Sequence, residues 1–594
     1  VSIAIGEVVS VKGVSIVLDL YEESNKETLF YNGEKFNGVS IQEHILIRRG
    51  FKDIVAIVQG EYLDERFKSE DEKSYIRKIE LKPIGFYDHK KFQEGIKHLP
   101  MIRDVAYLMS EDQVRNIYGE AEQEFVVGNI VKEDLPISLP WSKLFNTHIG
   151  VFGNTGSGKS NTLTNLYTTL FTNKRNQING KSQFVVIDFN GEYTKNQLIE
   201  RGKLKSVYEL DTKGNEGDKF PLSEVAFWDV EVFSILFKAT ENTQTPFLKR
   251  VVTGRERFRA QQNSLTNYTV KTVERALTST SPKKEFIEII REISKVIGNE
   301  DLANRIEQLS WHGVQSKFYI TGTQRFLNGG DNDPVYINEF RQHVAAIQAN
   351  GLTPFDELRL RINVQLLSDL IGGFVQFEHI QPLLKRIESS IGSMKRVFEV
   401  GNDPEQNLLS VISLRKTNQE IKKIIPLLLA KYYYGVHKDK VINASPPNKT
   451  FHLIIDEAHN VLSTQSNRES ESWKDYRLEL FEEIIKEGRK FGFYLTLSSQ
   501  RPADISPTIM SQIHNFFIHR LVNDRDLMLL DNTISSLDSL SRSMIPNLAK
   551  GCAVITGTSF DLPMVVQFNK LKKDHQPDSD DVNLKALWAK SEDS

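Results

Sequence analysis

The chain has 594 residues, with 75 Lys and Arg against 78 Asp and Glu, and a formal net charge of −3 at pH 7. Apolar residues make up 39% and charged residues 26%. That excludes collagen-like, disulfide-scaffold and wholly disordered classes and leaves length for about three to five domains. One cysteine, Cys552, excludes an intramolecular disulfide and a Cys-rich zinc site and fits a reducing cytosol. The charge balance argues against a globally basic nucleic-acid binder, so any DNA contact has to be local.

In chain order, residues 6–18 place Gly13 between two β-branched runs, a hairpin pattern. Residues 44–47, 53–58 and 74–83 supply further strands, and this spacing predicts a small barrel or sandwich. Residues 100–120 read as a polar, partly helical connector. From Trp141 the pattern changes to short apolar strands (148–152, 184–188) alternating with helix (161–171), which predicts a parallel α/β sheet. Residues 220–400 break the alternation with helical periodicity, as at 285–297 and 355–370, and read as a helical insertion. Strands return at 408–414, 451–455, 493–498 and 516–519. The tail after Lys573 is polar and expected to be mobile. No window reaches the roughly 18 apolar residues of a membrane span. The apolar run 424–434 carries Lys431 and reads as a buried helix. No basic stretch opens the chain, so no signal peptide is expected, and the absent Met points to a trimmed start. A cytoplasmic protein without membrane attachment is the expectation.

Gly153-Asn154-Thr155-Gly156-Ser157-Gly158-Lys159-Ser160 matches G-x-x-x-x-G-K-[ST] between a predicted strand and a predicted helix. Glycines let successive N–H groups point at phosphate oxygens, and the helix dipole adds positive potential there. Lys159 is expected on the β and γ phosphates, the Ser160 hydroxyl on Mg²⁺, and Asn161 follows within the same nucleotide-binding stretch. The strand 451–455 ends in Asp456 and Glu457. Set beside the phosphate loop, Asp456 would join the Mg²⁺ shell and Glu457 would act as general base on water. His459 completes a D-E-A-H string, with local packing or hydrogen bonding its expected use. Asp188 and Glu192 end the second strand and are expected at the carboxyl edge of the sheet, among the nucleotide-binding groups. Gln500 ends the strand 493–498 and is a candidate for sensing the γ-phosphate or orienting water. Arg489 precedes that strand and is a candidate arginine finger. The bland alternatives are a satisfied strand-end amide for Gln500 and a helix C-cap for Arg489.

Together the segments 148–160, 188–193, 451–459, 487–492 and 498–502 resemble the HerA branch of the HerA/FtsK family of ring-forming ATPases. The closing stretch 546–557 and the first hairpin resemble it too. The resemblance implies an α/β, RecA-like P-loop ATPase domain with a helical insertion, preceded by a small β-barrel. The expected division is 1–120 barrel, 121–219 first part of the ATPase domain, 220–400 insertion, 401–573 second part and 574–594 tail. It implies ATP and Mg²⁺ as ligands, a homo-hexamer around double-stranded DNA, and Arg489 acting in trans. It also implies that Gln500 couples the γ-phosphate to DNA-facing loops, and that the partner is a nuclease or a sirtuin-type NAD-consuming effector, with a bacterial anti-phage setting favoured. Strand 408–414 lacks the Asp often found at its end in the family, which leaves Arg415 as a secondary candidate.

The leading expectation is therefore an ATP-driven DNA translocase or helicase. The alternatives are a ring scaffold that regulates an effector with hydrolysis as a gate, and a conjugation or secretion-type ATPase. A DEAH-type superfamily helicase is excluded, because Lys159 and Asp456 lie almost 300 residues apart, with little chain beyond. Lys385/Arg386, Lys395/Arg396 and Lys422/Lys423 are candidate phosphate contacts, though a solvated helix face is the commoner use of such pairs.

Overall fold

The structure is a computed structural model that describes all residues except 1–2, 27, 32–33, 70–71, 90, 119–124, 215, 324, 466–470, 536, 538, 579–583 and 589–594. The first hairpin forms as its sequence predicts. Strand Ala4–Lys12 pairs antiparallel with Ser15–Leu20, and Gly13 turns at φ +59°, a region that glycine enters without a Cβ penalty. Alternation puts Ile5, Val8, Ile16 and Leu18 inside. The strands Ala4–Lys12, Val105–Leu108, His44–Arg49, Lys52–Ser69, Glu72–Asp88 and Ser15–Leu20 close on themselves as a six-stranded antiparallel barrel, which leaves no open edge around the ring of strands.

One expectation is corrected here. Residues 100–120 are more than a connector, because Val105–Leu108 closes the barrel between the first strand and His44–Arg49. Its alternation is only four residues long, with Ala106 and Leu108 inward, too short to stand out from polar flanks. The helix Glu111–Ile117 follows, started by a capping box of Ser110 and Gln113.

Beyond the barrel lies an eleven-stranded sheet. Seven neighbouring strands run parallel, in the order Lys205–Asp211, Leu409–Lys416, Ser182–Asp188, Thr450–Ile455, Phe493–Ser499, Ile149–Phe152 and Asn515–Ile518. Four antiparallel strands extend it, Cys552–Gly557 first. The parallel strands are buried on both faces, as their unbroken apolar runs require. One core packs on each face. The smaller includes Leu166, Phe184 and Val186 under the helix Lys159–Ile178. The larger runs without a break into the insertion.

The segment 220–400 is largely helical, with Glu285–Ile297 at the bounds its periodicity predicts and Pro354–Gly372 two residues longer than 355–370 at its C-terminal end. It is not wholly helical. It starts and ends on a parallel two-stranded pair, Phe220–Ser223 with Phe398–Gly401, and carries the hairpin Leu309–His312 with Lys317–Ile320. The parallel pair brings the two ends of the segment back together beside the sheet. Among the described residues, no helix is long and apolar enough to cross a membrane.

Candidate nucleotide site

The buried strand Ile149–Phe152 delivers residues 153–158 to the carboxyl edge of the sheet, and the helix Lys159–Ile178 starts directly after them. The loop is braced from three sides. Gly153 N–H donates to Ser499 O (3.3 Å), Asn154 N–H to Arg520 O (2.9 Å), and Gly551 N–H to Ser157 O (2.8 Å). Gly158 has φ +114°, and a Cβ there would lie 2.8 Å from Gly551 Cα, so conformation and space both demand glycine. Lys159 is buried, and its Nζ reaches Asn154 O at 3.4 Å.

The strand with Asp456 and Glu457 is not beside the phosphate-loop strand. Phe493–Ser499 lies between them and pairs with both. Gln500, at its end, therefore sits between loop and acids, where its Oε1 accepts a hydrogen bond from the Thr155 hydroxyl. The offset still brings Asp456 within electrostatic reach of Lys159. Tyr193 Oη donates to Asp456 Oδ2 at 3.3 Å, a contact with no signal in spacing because it joins residues far apart in sequence. Glu457 has φ +50°, a left-handed conformation costly for this residue and held by Asn460, whose backbone and side-chain nitrogens both donate to Glu457 O at 3.0 Å.

Asp188 departs from its expected role. Its Oδ1 accepts from the N–H groups of Asn190, Gly191 and Glu192, and its Oδ2 from Tyr193 (2.7–3.2 Å). A fully buried carboxylate with four backbone donors is taken up by its own turn, and the turn presents Glu192. Glu192 faces Ser160 and Asp456, and its Oε2 is buried without a partner. Burial, reinforced by Asp456, pushes the Glu192 carboxyl up to about 7; burial pushes Asp188 up to about 6 and raises Asp456 and Glu457 as well. Carboxylates so crowded and desolvated want a cation. The oxygen donors Ser160, Asp456 and Glu192 fit a Mg²⁺ ion that takes most of its remaining ligands from phosphates and water. Arg415 packs its side chain across Gly191, against the same turn.

Arg489 lies elsewhere. It is exposed in the turn Gly488–Phe491, at the amino end of Phe493–Ser499, with Nη1 3.4 Å from His514 Nε2. Gln500 is at the other end of that strand, about 20 Å away at ~3.3 Å per residue. Two of the three basic pairs are engaged within the chain. Lys395 bonds Asp356 (2.7 Å), Arg396 donates to Thr212 O (2.7 Å), Lys385 pairs with Glu388 and Arg386 with Gln244. The tail is tied down as far as Asp578. Asp578 N–H donates to Glu192 O, Asp578 pairs with Lys195, and His575 meets Asn196 O. Residues 579–583 and 589–594 of the tail lie outside the described residues.

A phosphate loop on the carboxyl edge of a parallel sheet, with an acidic pair facing its lysine, defines a nucleotide-binding P-loop ATP hydrolase of RecA-like fold. The family described as "Helicase HerA, central domain" matches residues 125–365. A probable DNA double-strand break repair helicase HerA of Methanocaldococcus jannaschii is 23% identical over 580 residues, covering 94% of this chain and 97% of its own length. The DNA double-strand break repair helicase HerA of Pyrococcus furiosus is 25% identical over 487 residues, covering 79% and 73%. Among solved structures, VirB4 of Thermoanaerobacter pseudethanolicus aligns with TM-score 0.43 and 11% identity over 77% of this chain and 99% of that one. The plasmid coupling protein TrwB with a non-hydrolysable ATP analogue aligns with TM-score 0.40 and 13% identity, covering 78% and 93%. The chain is thus a P-loop ATPase similar to helicases of the HerA type.

Proposed function

We propose that this ATPase assembles as a ring, a homo-hexamer, and couples ATP hydrolysis to movement along double-stranded DNA. The observation that carries the reading is the split of the site. Loop, acids and Gln500 share one edge of the sheet, while the exposed Arg489 is at the other. One chain cannot bring them to the same phosphate, whereas a neighbour in a ring presents its Arg489 to this edge. The names of the HerA relatives support DNA as the track.

In this reading backbone N–H groups of 153–160 and Lys159 bind and orient the triphosphate. Mg²⁺, when bound by Ser160 and Asp456, supplies charge neutralisation on the phosphate oxygens. Glu457 accepts the proton of the attacking water, its raised proton affinity favouring that transfer. Gln500, already on Thr155, reports the state of the loop to its own strand. Arg489 of the neighbour offsets charge on the transferred group. Residues 1–120 would form the outer docking domain for a nuclease or NAD-consuming effector, the route to a role in anti-phage defence.

The test is ATP hydrolysis with and without linear duplex DNA. Stimulation by duplex, lost in Lys159→Ala, is expected. Hydrolysis indifferent to every DNA form would sink the translocase reading. It would leave the gated scaffold, for which the measurement is co-purification of a partner from the native host and its loss on deleting 1–120.

A further inference from the structure

His459 opens the short helix His459–Leu462, just beyond Glu457. Its Nδ1 lies between two oxygens, 3.2 Å from Ser499 Oγ and 3.3 Å from Glu457 Oε2. Glu457 Oε2 is buried, and the ring nitrogen lies against it at contact distance without forming a regular hydrogen bond. A carboxylate oxygen this close to a ring nitrogen requires that nitrogen to carry the hydrogen, since two lone pairs would repel. The Nδ1–H group therefore points into the gap between Ser499 and Glu457. Ser499 is fully buried, and its Oγ also accepts the Arg501 N–H (3.0 Å), so the hydroxyl is fixed at the strand end from which Gln500 reaches Thr155. The backbone of Glu457 is pinned by Asn460, and Gln500 hydrogen-bonds its carboxylate through backbone and side chain, so His459 packs on a base already held on one side.

We infer that His459 is a positioning residue for hydrolysis: its Nδ1–H, bonded to Ser499 Oγ and lying against Glu457 Oε2, helps set the orientation of the Glu457 carboxylate and ties it to the strand end that carries Gln500. Gln500 touches the same carboxylate directly, so Gln500 and His459 hold the base from two sides. Burial keeps the imidazole neutral, with its proton affinity lowered to about 4, so it serves as a single fixed donor and not as an acid. The inference rests on Glu457 being the base.

The experiment measures steady-state ATP hydrolysis by the full chain in His459→Ala, His459→Asn, His459→Gln, Ser499→Ala and Glu457→Gln. His459→Ala is expected to lower kcat at least about tenfold with KM for ATP within about threefold, the signature of an interaction used in the transition state alone. Asn sets an amide N–H where Nδ1–H was and should recover most of kcat. Gln sets it one atom further out and should not. A merely structural histidine would not distinguish the two, so equal activities of Asn and Gln variants overturn the inference even if the Ala variant fails to fold. In a Glu457→Gln background His459→Ala should add no further loss, and an independent loss counts against coupling. Hydrolysis that survives Glu457→Gln refutes the base assignment itself, a result separate from anything His459 does.

Discussion

His452 shows how burial tunes single residues in this sheet. It lies wholly inside, its ring stacked on Phe184 at 4.5 Å, and burial lowers its proton affinity to about 3. The unfolded chain takes up that proton near pH 6.5 and the folded chain does not. Stability from the neutral ring is thus complete above pH 6.5 and is lost as pH falls, by about 1.4 kcal/mol per pH unit. His452→Phe keeps the stack and removes the titration. In urea denaturation it should gain about 2 kcal/mol on wild type between pH 7 and pH 5. A parallel acid dependence of the two proteins would show that the imidazole protonates freely in the fold. At this scale Lys159, Ser160, Asp456 and Glu457 were legible in sequence, because each sits in a local motif whose backbone dictates its direction. Asp188 ends its strand as the sequence indicates, and the four N–H donors add that it caps its own turn, a use that strand-end position alone does not reveal.

The insertion joins the sheet through a continuous apolar core, and buried charges tie its own elements together. Arg255, on the helix Gln244–Phe258, is almost fully enclosed. It bonds Glu224 and Glu357 (3.1 Å to the latter) and lies 4.3 Å over the Trp228 ring. Arg255→Ala leaves Glu224 to Arg259 and Glu357 to Arg361, removes the packing of the guanidinium on Trp228, and should cost about 1–2 kcal/mol. Thermal melts and protease cleavage within 220–400 check it, and a loss under about 0.5 kcal/mol would mean the charges are solvated in the fold. Helices here were readable from the sequence. In Glu285–Ile297 the apolar Phe286, Ile289, Ile290 and Ile293 recur on one face and are all buried. The four-residue strand Val105–Leu108 was not, since its place is set by barrel closure and by no local period.

For the whole molecule, the net charge of −3 does not oppose a nucleic-acid track, because a ring needs only a few inward groups repeated by symmetry. The distance between Arg489 and its own phosphate loop makes a prediction about assembly. Arg489→Ala and Lys159→Ala should each abolish hydrolysis. Mixed before assembly, they should regain a fraction of wild-type activity, since an intact loop then meets an intact Arg489 from its neighbour. Absence of recovery in mixed rings, verified by mass, would place Arg489 in a structural role with His514 and His148. The barrel meets the ATPase sheet across a cavity of about 680 Å³ that includes His44, Glu133 and His514, with His44 Nδ1 3.1 Å from Glu133.

The sequence by itself determined the chemistry: a strand, six loop residues, a lysine and a hydroxyl whose backbone must cradle phosphate, and an apolar strand that must end in two acids. These are short-range consequences of φ, ψ and period, and they need no neighbours to be true. Only the tertiary structure decided which strands adjoin. It put Gln500 between loop and acids, turned Asp188 inward, engaged two of the three basic pairs, and carried Arg489 to the opposite edge. The reason is physical. Strand order in a parallel sheet is set by long crossovers and the burial of both faces, and neither leaves a mark in the spacing of the residues that meet.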